Sequence, residues 1–206
     1  MKKIILIGAG GYCAGVIDSI ESAGKYEIVG ITDPFKKGEW CGYPILGTDD
    51  LLPELYDKGI KFAHVTVGSI AVPTKRKELA TIALNIGFEL VSVIDSSAHV
   101  AKHVSLGKMV YIGKNAIINS MATIGDYCMI NTGSIVEHGC EIGNWVHIAP
   151  GSVLAADIRV GENSHIGVGT TVLQGLTIGH DTIIGAGSVV IRDVDSNRTV
   201  YGLVKG

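Results

Sequence analysis

From Ala98 to Asp193 the chain repeats itself in sixes. Every sixth residue from Val100, through Ile112, Ile130, Ile148 and Ile166, to Val190 is aliphatic without a slip. The residue two places earlier is mostly small, as at Ala116, Cys128, Ser134, Cys140 and Ser152. Glycine often follows the aliphatic residue, as at Gly107, Gly125, Gly143 and Gly161. A fixed short period specifies a solenoid, and a period of six specifies a parallel β-helix. Each hexad supplies a short strand whose aliphatic residue points inward beside its small partner, and glycine permits the corner. Three hexads close a triangular coil of 18 residues (3 × 6), so residues 18 apart stack at a strand spacing of about 4.8 Å.

Residues 1–95 follow a different rule. Lys3–Ile7 is a buried-type strand that ends in Gly8-Ala9-Gly10-Gly11, and Tyr12–Ala23 follows as a helix stopped by Gly24. Glu27–Ile31 is a second strand closing on Asp33-Pro34, and the polar, glycine-containing stretch from Phe35 to Gly47 reads as a loop. A short helix over Asp49–Lys58 precedes a third strand, Lys61–Val67, ending at Gly68. Helical periodicity over Pro73–Gly87 leads to a fourth strand, Glu89–Ile94. This alternation predicts a small Rossmann-like α/β domain with a parallel sheet. The period switches at Asp95-Ser96-Ser97, which gives domains of 1–95 and 96–206, the second a β-helix with a short C-terminal segment.

Gly8-x-Gly10 between a strand and a helix is the right context for a phosphate at a helix N-terminus. The third glycine of a dinucleotide fingerprint falls on Cys13, and the domain is short for a full dinucleotide fold, so a nicotinamide oxidoreductase is the weakest reading. A nucleotide sugar, another phosphate ligand and a plain tight turn all stay open. Asp33 could accept from a ribose or sugar hydroxyl, or simply start an Asp-Pro turn.

Composition narrows the partners. The formal net charge is −3 with no Lys/Arg run, which argues against nucleic-acid binding. No stretch is long and apolar enough for membrane insertion. The apolar run after Met1-Lys2-Lys3 is cut by the glycine loop and reads as a first strand rather than a signal peptide. The four cysteines show no CxxC spacing, and Cys128 and Cys140 fall in the inward column, so a reduced, cytoplasmic protein is expected.

Histidines supply the chemistry. His147 and His165 are 18 apart, so they stack on one face (165 − 147 = 18). His138 stands two residues after Val136, at a corner, with Ser120 beneath and Ala156 above, and Asn119 lies beneath Glu137. That corner gathers a base, a carboxylate and polar neighbours. Elsewhere a histidine on a solenoid is by default a solvated or satisfied side chain. His99, His103 and His180 read that way, as does His64 in the first domain.

The run Asn131-Thr132-Gly133-Ser134-Ile135-Val136-Glu137-His138-Gly139-Cys140-Glu141-Ile142-Gly143, continuing through Trp145-Val146-His147-Ile148-Ala149-Pro150-Gly151, resembles the NeuD/PglD-type sugar acetyltransferases. These include bacterial sialic acid O-acetyltransferases and N-acetyltransferases of UDP-linked amino sugars. The resemblance implies a left-handed β-helix, a homotrimer with active sites between neighbouring prisms, acetyl-CoA as co-substrate along the prism, and no metal. It implies His138 as general base, His147 as an acetyl-CoA contact, and Val168 and Ala186 along the CoA groove. The nucleotide sugar would lie against Gly10, Gly11, Tyr12, Asp33 and Gly68. Stacking adds Glu137 beside the base, Asn119 on the acceptor side, and His165 and the Ala156 amide on the acetyl-CoA side, the last as an oxyanion donor. Cys140 is expected to point inward, so the acceptor would attack the thioester directly.

Three positions depart from the family pattern. The acidic residue usual after the catalytic histidine is Gly139, which leaves Glu137, Glu141 or a backbone carbonyl to hold the ring. Tyr12 stands where a histidine is common. The terminal segment Val200-Tyr201-Gly202-Leu203-Val204-Lys205 lacks its proline. N-acetylation of a nucleotide-linked amino sugar is the expected function. The alternatives are O-acetylation of sialic or related nonulosonic acids, a non-catalytic nucleotide-sugar-binding scaffold, and a zinc-dependent β-helical carbonic anhydrase built on His138, His147 and His165.

Overall fold

A computed structural model describes residues 1–69 and 73–205. It comprises two compact units, one of residues 1–69 and 73–93 and one beginning at Ile94.

In the first unit, strand β1 (Lys2–Ile7) is central because Ile4, Leu6 and their neighbours are apolar on both faces and fully buried. It pairs in parallel with β2 (Tyr26–Thr32) and with β5 (Phe62–Val65). Helix α1 (Gly11–Ala23) ends at Gly24, whose left-handed backbone lets its N–H reach the Ile20 carbonyl. The stretch expected as a loop instead holds two strands, β3 (Glu39–Trp40) and β4 (Tyr43–Gly47). Cys41 and Gly42 both take positive φ, 49° and 81°, the conformation a tight hairpin turn needs. β4 then continues the sheet, with Ile45 opposite Ile31. Only alternate residues of β4 are covered, and Pro44 interrupts the apolar pattern, so the segment carries little strand signal.

A single 3₁₀ turn, Asp49–Leu51, leads into α2 (Leu52–Asp57), and α3 (Thr74–Ile86) covers β5 and β6 (Glu89–Leu90). The strand order is β3-β4-β2-β1-β5-β6. The fourth expected strand is shorter than its apolar run. β6 stops at Leu90, and Val93–Ile94 join a different sheet.

The second unit is a parallel β-helix of two-residue strands. Its three inward columns keep an 18-residue register: Ile112 pairs with Ile130 and then Ile148, Ile118 with Val136 and then Leu154, Ile124 with Ile142 and then Val160. These residues form one continuous buried core. The small inward column does more than fill space. Ser152 donates to the Gly167 carbonyl at 2.8 Å and Ser164 to Gly179 at 2.7 Å. The Cys128 and Cys140 thiols reach the Gly143 and Ala155 carbonyls at 3.0 and 3.1 Å. The Gly143, Ala155 and Gly179 carbonyls accept no other described backbone N–H, so alanine in place of Cys128, Cys140 or Ser164 would leave them open, whereas the Gly167 carbonyl also takes the Thr170 N–H at 3.2 Å. The helix also runs past Asp193, with a tighter period: Thr199 pairs with Ile183 (199 − 183 = 16) and Leu203 with Val189 (203 − 189 = 14).

Glycine plays two roles here, only one of which is the corner. Gly133, Gly139 and Gly151 have φ of 64–70° at turns, whereas the glycines that follow the inward aliphatic residues, such as Gly143 and Gly161, do not take positive φ. Those are glycine because the next coil passes too close. A Cβ at Gly161 would collide with the His180 amide and lie 2.7 Å from the Gly179 carbonyl carbon. Gly161→Ala should therefore cost about 3 kcal/mol by overpacking. Gly133→Ala, strained in φ but open to solvent, should cost about 1 kcal/mol. Denaturant midpoints of the two variants test this ranking.

Candidate active site

The corner that carries His138 is built by backbone alone. Its carbonyl accepts the Asp157 N–H from the coil above at 3.0 Å, while the Gly139 N–H donates to the Ser120 carbonyl below at 3.3 Å. Ser120, His138 and Ala156 thus stack as their spacing requires, and the imidazole is left exposed to solvent. The Ala156 carbonyl takes the Gly175 N–H at 2.9 Å, while the Ala156 N–H bonds no described residue and is free to donate. Asn119, half-buried, sits one coil below Glu137.

The glutamates expected to hold the ring are engaged elsewhere. Glu137 accepts the backbone N–H of His138 at 3.3 Å instead of its imidazole, since a side chain one residue back reaches the peptide first. Glu141 lies on the next face, where its carboxylate is 3.5 Å from Arg159. Cys140 is fully buried, with its thiol pushed up by burial, and cannot act as a nucleophile.

A second cluster lies on another face of the prism. His147 and His165 are register partners whose rings meet edge to face, centroids 4.6 Å apart. The Asn131 amide donates to His147 Nε2 at 2.6 Å. Burial holds the His165 pKa below its usual value, and its buried Nδ1 has no partner among the described residues. These three residues line a largely apolar groove of about 440 Å³ with Pro150, Val168 and Ala186. Val168 is 54 % exposed, so the groove presents bare aliphatic surface. Asn131 was not among the expected site residues. Its offset of 16 from His147 falls off the 18-residue column, so stacking alone does not pair them. The three histidines do not converge. Among the described residues, no group of three or more His, Cys, Asp or Glu could hold a metal.

In the first unit, the β1–α1 turn and the end of β2 enclose a cavity of about 270 Å³. Gly10, Asp33 and Gly68 line it, and so do Asp49, Lys75 and Phe35, which the sequence did not single out. Of its two readings, Asp33 shows the turn starter, and its other oxygen holds the glycine loop. Oδ1 accepts the Phe35 and Lys36 amides as a turn starter, at 2.8 and 2.9 Å, and Oδ2 accepts the Ala9 amide of the glycine loop at 2.8 Å. Burial pushes this carboxyl up. The three amides and the Lys36 charge outweigh that and hold its pKa below the ordinary value. Gly11 and Tyr12 lie outside the cavity wall. The Tyr12 hydroxyl faces His64 Nε2 at 3.5 Å, and His64 Nδ1 donates to the Val91 carbonyl at 2.8 Å.

This two-unit architecture is found in known proteins. Residues 3–81 match the PglD N-terminal domain, residues 85–174 the GMPPB C-terminal domain, and residues 157–192 the bacterial transferase hexapeptide model. No curated protein sequence matches the chain. Among solved structures it is similar to PerB from Caulobacter crescentus in complex with CoA and GDP-perosamine. The identity is 37 % over 99 % of this chain and 97 % of that one, with a TM-score of 0.91. The chain belongs to the NeuD/PglD-like family of hexapeptide-repeat sugar acetyltransferases. Its prism is accordingly the left-handed β-helix of that family. The acetyltransferase domain of PglB from Neisseria gonorrhoeae, in complex with acetyl coenzyme A, is 31 % identical over 98 % of this chain and 96 % of that one, with a TM-score of 0.91. WeeI from Acinetobacter baumannii is 25 % identical over 97 % of this chain and 96 % of that one, with a TM-score of 0.85.

His64 gives the first unit a pH dependence of its own. Burial drives its pKa from 6.5 down to about 3, with the Arg76 charge acting in the same direction. The unfolded chain binds this proton below pH 6.5 and the native state refuses it until about pH 3. Its contribution to stability is therefore full above pH 6.5 and is lost as pH falls through that window. Unfolding midpoints at pH 7 and pH 4.5 should show His64→Gln losing less stability on acidification than the parent, by about one proton's slope of 1.4 kcal/mol per pH unit.

Proposed function

We propose that this chain transfers the acetyl group of acetyl-CoA to the amine of a nucleotide-linked amino sugar, with His138 as general base. The observation that carries the reading is the exposed corner imidazole on a chain that matches PerB, a protein crystallised with CoA and GDP-perosamine, over nearly its full length. An amine acceptor is favoured over a hydroxyl because that relative is a perosamine N-acetyltransferase. Acetyl-CoA is assigned to the groove at His147, His165, Val168 and Ala186, whose apolar wall suits a pantetheine arm. The nucleotide half of the acceptor is assigned to the cavity of Gly10, Asp33 and Gly68. There the glycine loop leaves backbone amides at the start of α1 for a phosphate.

The amine nitrogen attacks the thioester carbon, the C–N bond forms and the C–S bond breaks. His138 Nε2 takes the amine proton and returns it to the departing thiolate, so that CoA leaves as the thiol. The Ala156 N–H is the donor best placed for the oxyanion. Imidazole suits this role because its ordinary pKa lies near the pH of the cytoplasm, where four free cysteines would also stay reduced. A homotrimer with sites between prisms is supported by the outward residues of one face, Ile117, Ile135, Val153, Val189 and Leu203. With Thr171 between Val153 and Val189 they form a stripe that is apolar at all but that position, whereas the Thr123, Glu141 and Arg159 face is polar.

CoA release by His138→Ala should fall by roughly 100-fold or more with unchanged acetyl-CoA binding. Wild-type turnover in that variant would remove His138 from the reaction.

A further inference from the structure

The residue after the base is a glycine, and the structure supplies a reason. Gly139 has φ +70°, and a Cβ built there would run into Oδ1 of Asp157 and lie 3.3 Å from its Cγ. The Asp157 carboxylate, one coil up, therefore occupies the space a side chain at 139 would take. Its backbone is tied to the same turn by the 3.0 Å bond from the Asp157 N–H to the His138 carbonyl. Asp157 itself holds φ +58°, which is uncommon for a non-glycine residue but more accessible to aspartate and asparagine than to most others. Its carboxylate makes no hydrogen bond or ion pair with any described residue, although other polar side chains at these corners are used. Asp126 caps the Lys108 amide at 2.8 Å, and Asn144 caps Asp126 at 2.8 Å.

A histidine base gains from a carboxylate on the far ring nitrogen. It fixes the tautomer, aims the free nitrogen and stabilises the imidazolium formed when the proton arrives. The charged groups around His138 are few. Glu137 is bonded to the His138 backbone, Glu141 is paired with Arg159 on the neighbouring face, Ser120 below is neutral, and Asp157 above is unpartnered.

We propose that Asp157 is the positioning residue of this site: its carboxylate, brought down over Gly139 from the next coil, accepts the Nδ1–H of His138 in the substrate complex and leaves Nε2 to take the amine proton. The proposal rests on His138 being the base.

The pH dependence of kcat tests it, because that profile reports groups in the substrate complex. Asp157→Asn keeps the size and the tolerance for positive φ. It should lower kcat about tenfold with KM for both substrates little changed, and should move the acid limb to lower pH by about one unit. Asp157→Gly, which suits the backbone equally well, should behave the same way and guards against an asparagine artefact. Gly139→Asp alone should lose activity through the clash, and Gly139→Asp combined with Asp157→Gly should recover a large part of it with the acid limb restored. If Asp157→Asn and Asp157→Gly keep wild-type kcat, or lose activity without moving the acid limb, while His138→Ala is impaired, Asp157 has no positioning role. If His138→Ala is itself unimpaired, the base assignment fails instead.

Discussion

Parallel pairing of each short strand with the one 18 residues later holds the prism together and also decides what it can present. The inward aliphatic columns make the stacking favourable. Small residues beside them close carbonyls that the corners leave over, through Ser164, Cys128 and Cys140. Strands of only two residues leave no slack, so a one-residue slip would turn a whole column outward. Side chains at the corners are consequently fixed in height by core residues they never touch. His138 is held where it is by Val136 and by backbone bonds to Ser120 and Asp157.

That same regularity explains how much could be read without coordinates. The columns, the stacking of His147 on His165, the inward thiols and the corner position of His138 all follow from counting in sixes and eighteens. Features that depend on side-chain reach did not. Asn131 meets His147 across an offset of 16, and Asp157 leans over Gly139 from the coil above. The glycines after aliphatic residues looked like corner residues. They are forced by close approach of the adjacent coil, which a single-coil picture does not contain.

In the first unit the legible parts were those with strong local signals: the apolar run of β1, the glycine loop, the helix stops at Gly24 and Gly87. The hairpin of β3 and β4 was missed because its strands are short, only half covered and interrupted by Pro44. Its turn uses Cys41 at positive φ, where asparagine or glycine would have announced it. Asp33 shows how a turn starter can carry a second task that the sequence did not announce. One oxygen starts the turn, and the other fastens the glycine loop that frames the cavity.

The central step is a proton leaving an amine for an imidazole at a prism corner. Its most direct test is CoA release measured with matched pairs of nucleotide sugars that carry either an amine or a hydroxyl at the same ring carbon. Rapid release with at least one amino sugar, and about 100-fold less or none with its hydroxyl partner, is the predicted result. Equal or faster transfer to the hydroxyl member would contradict it.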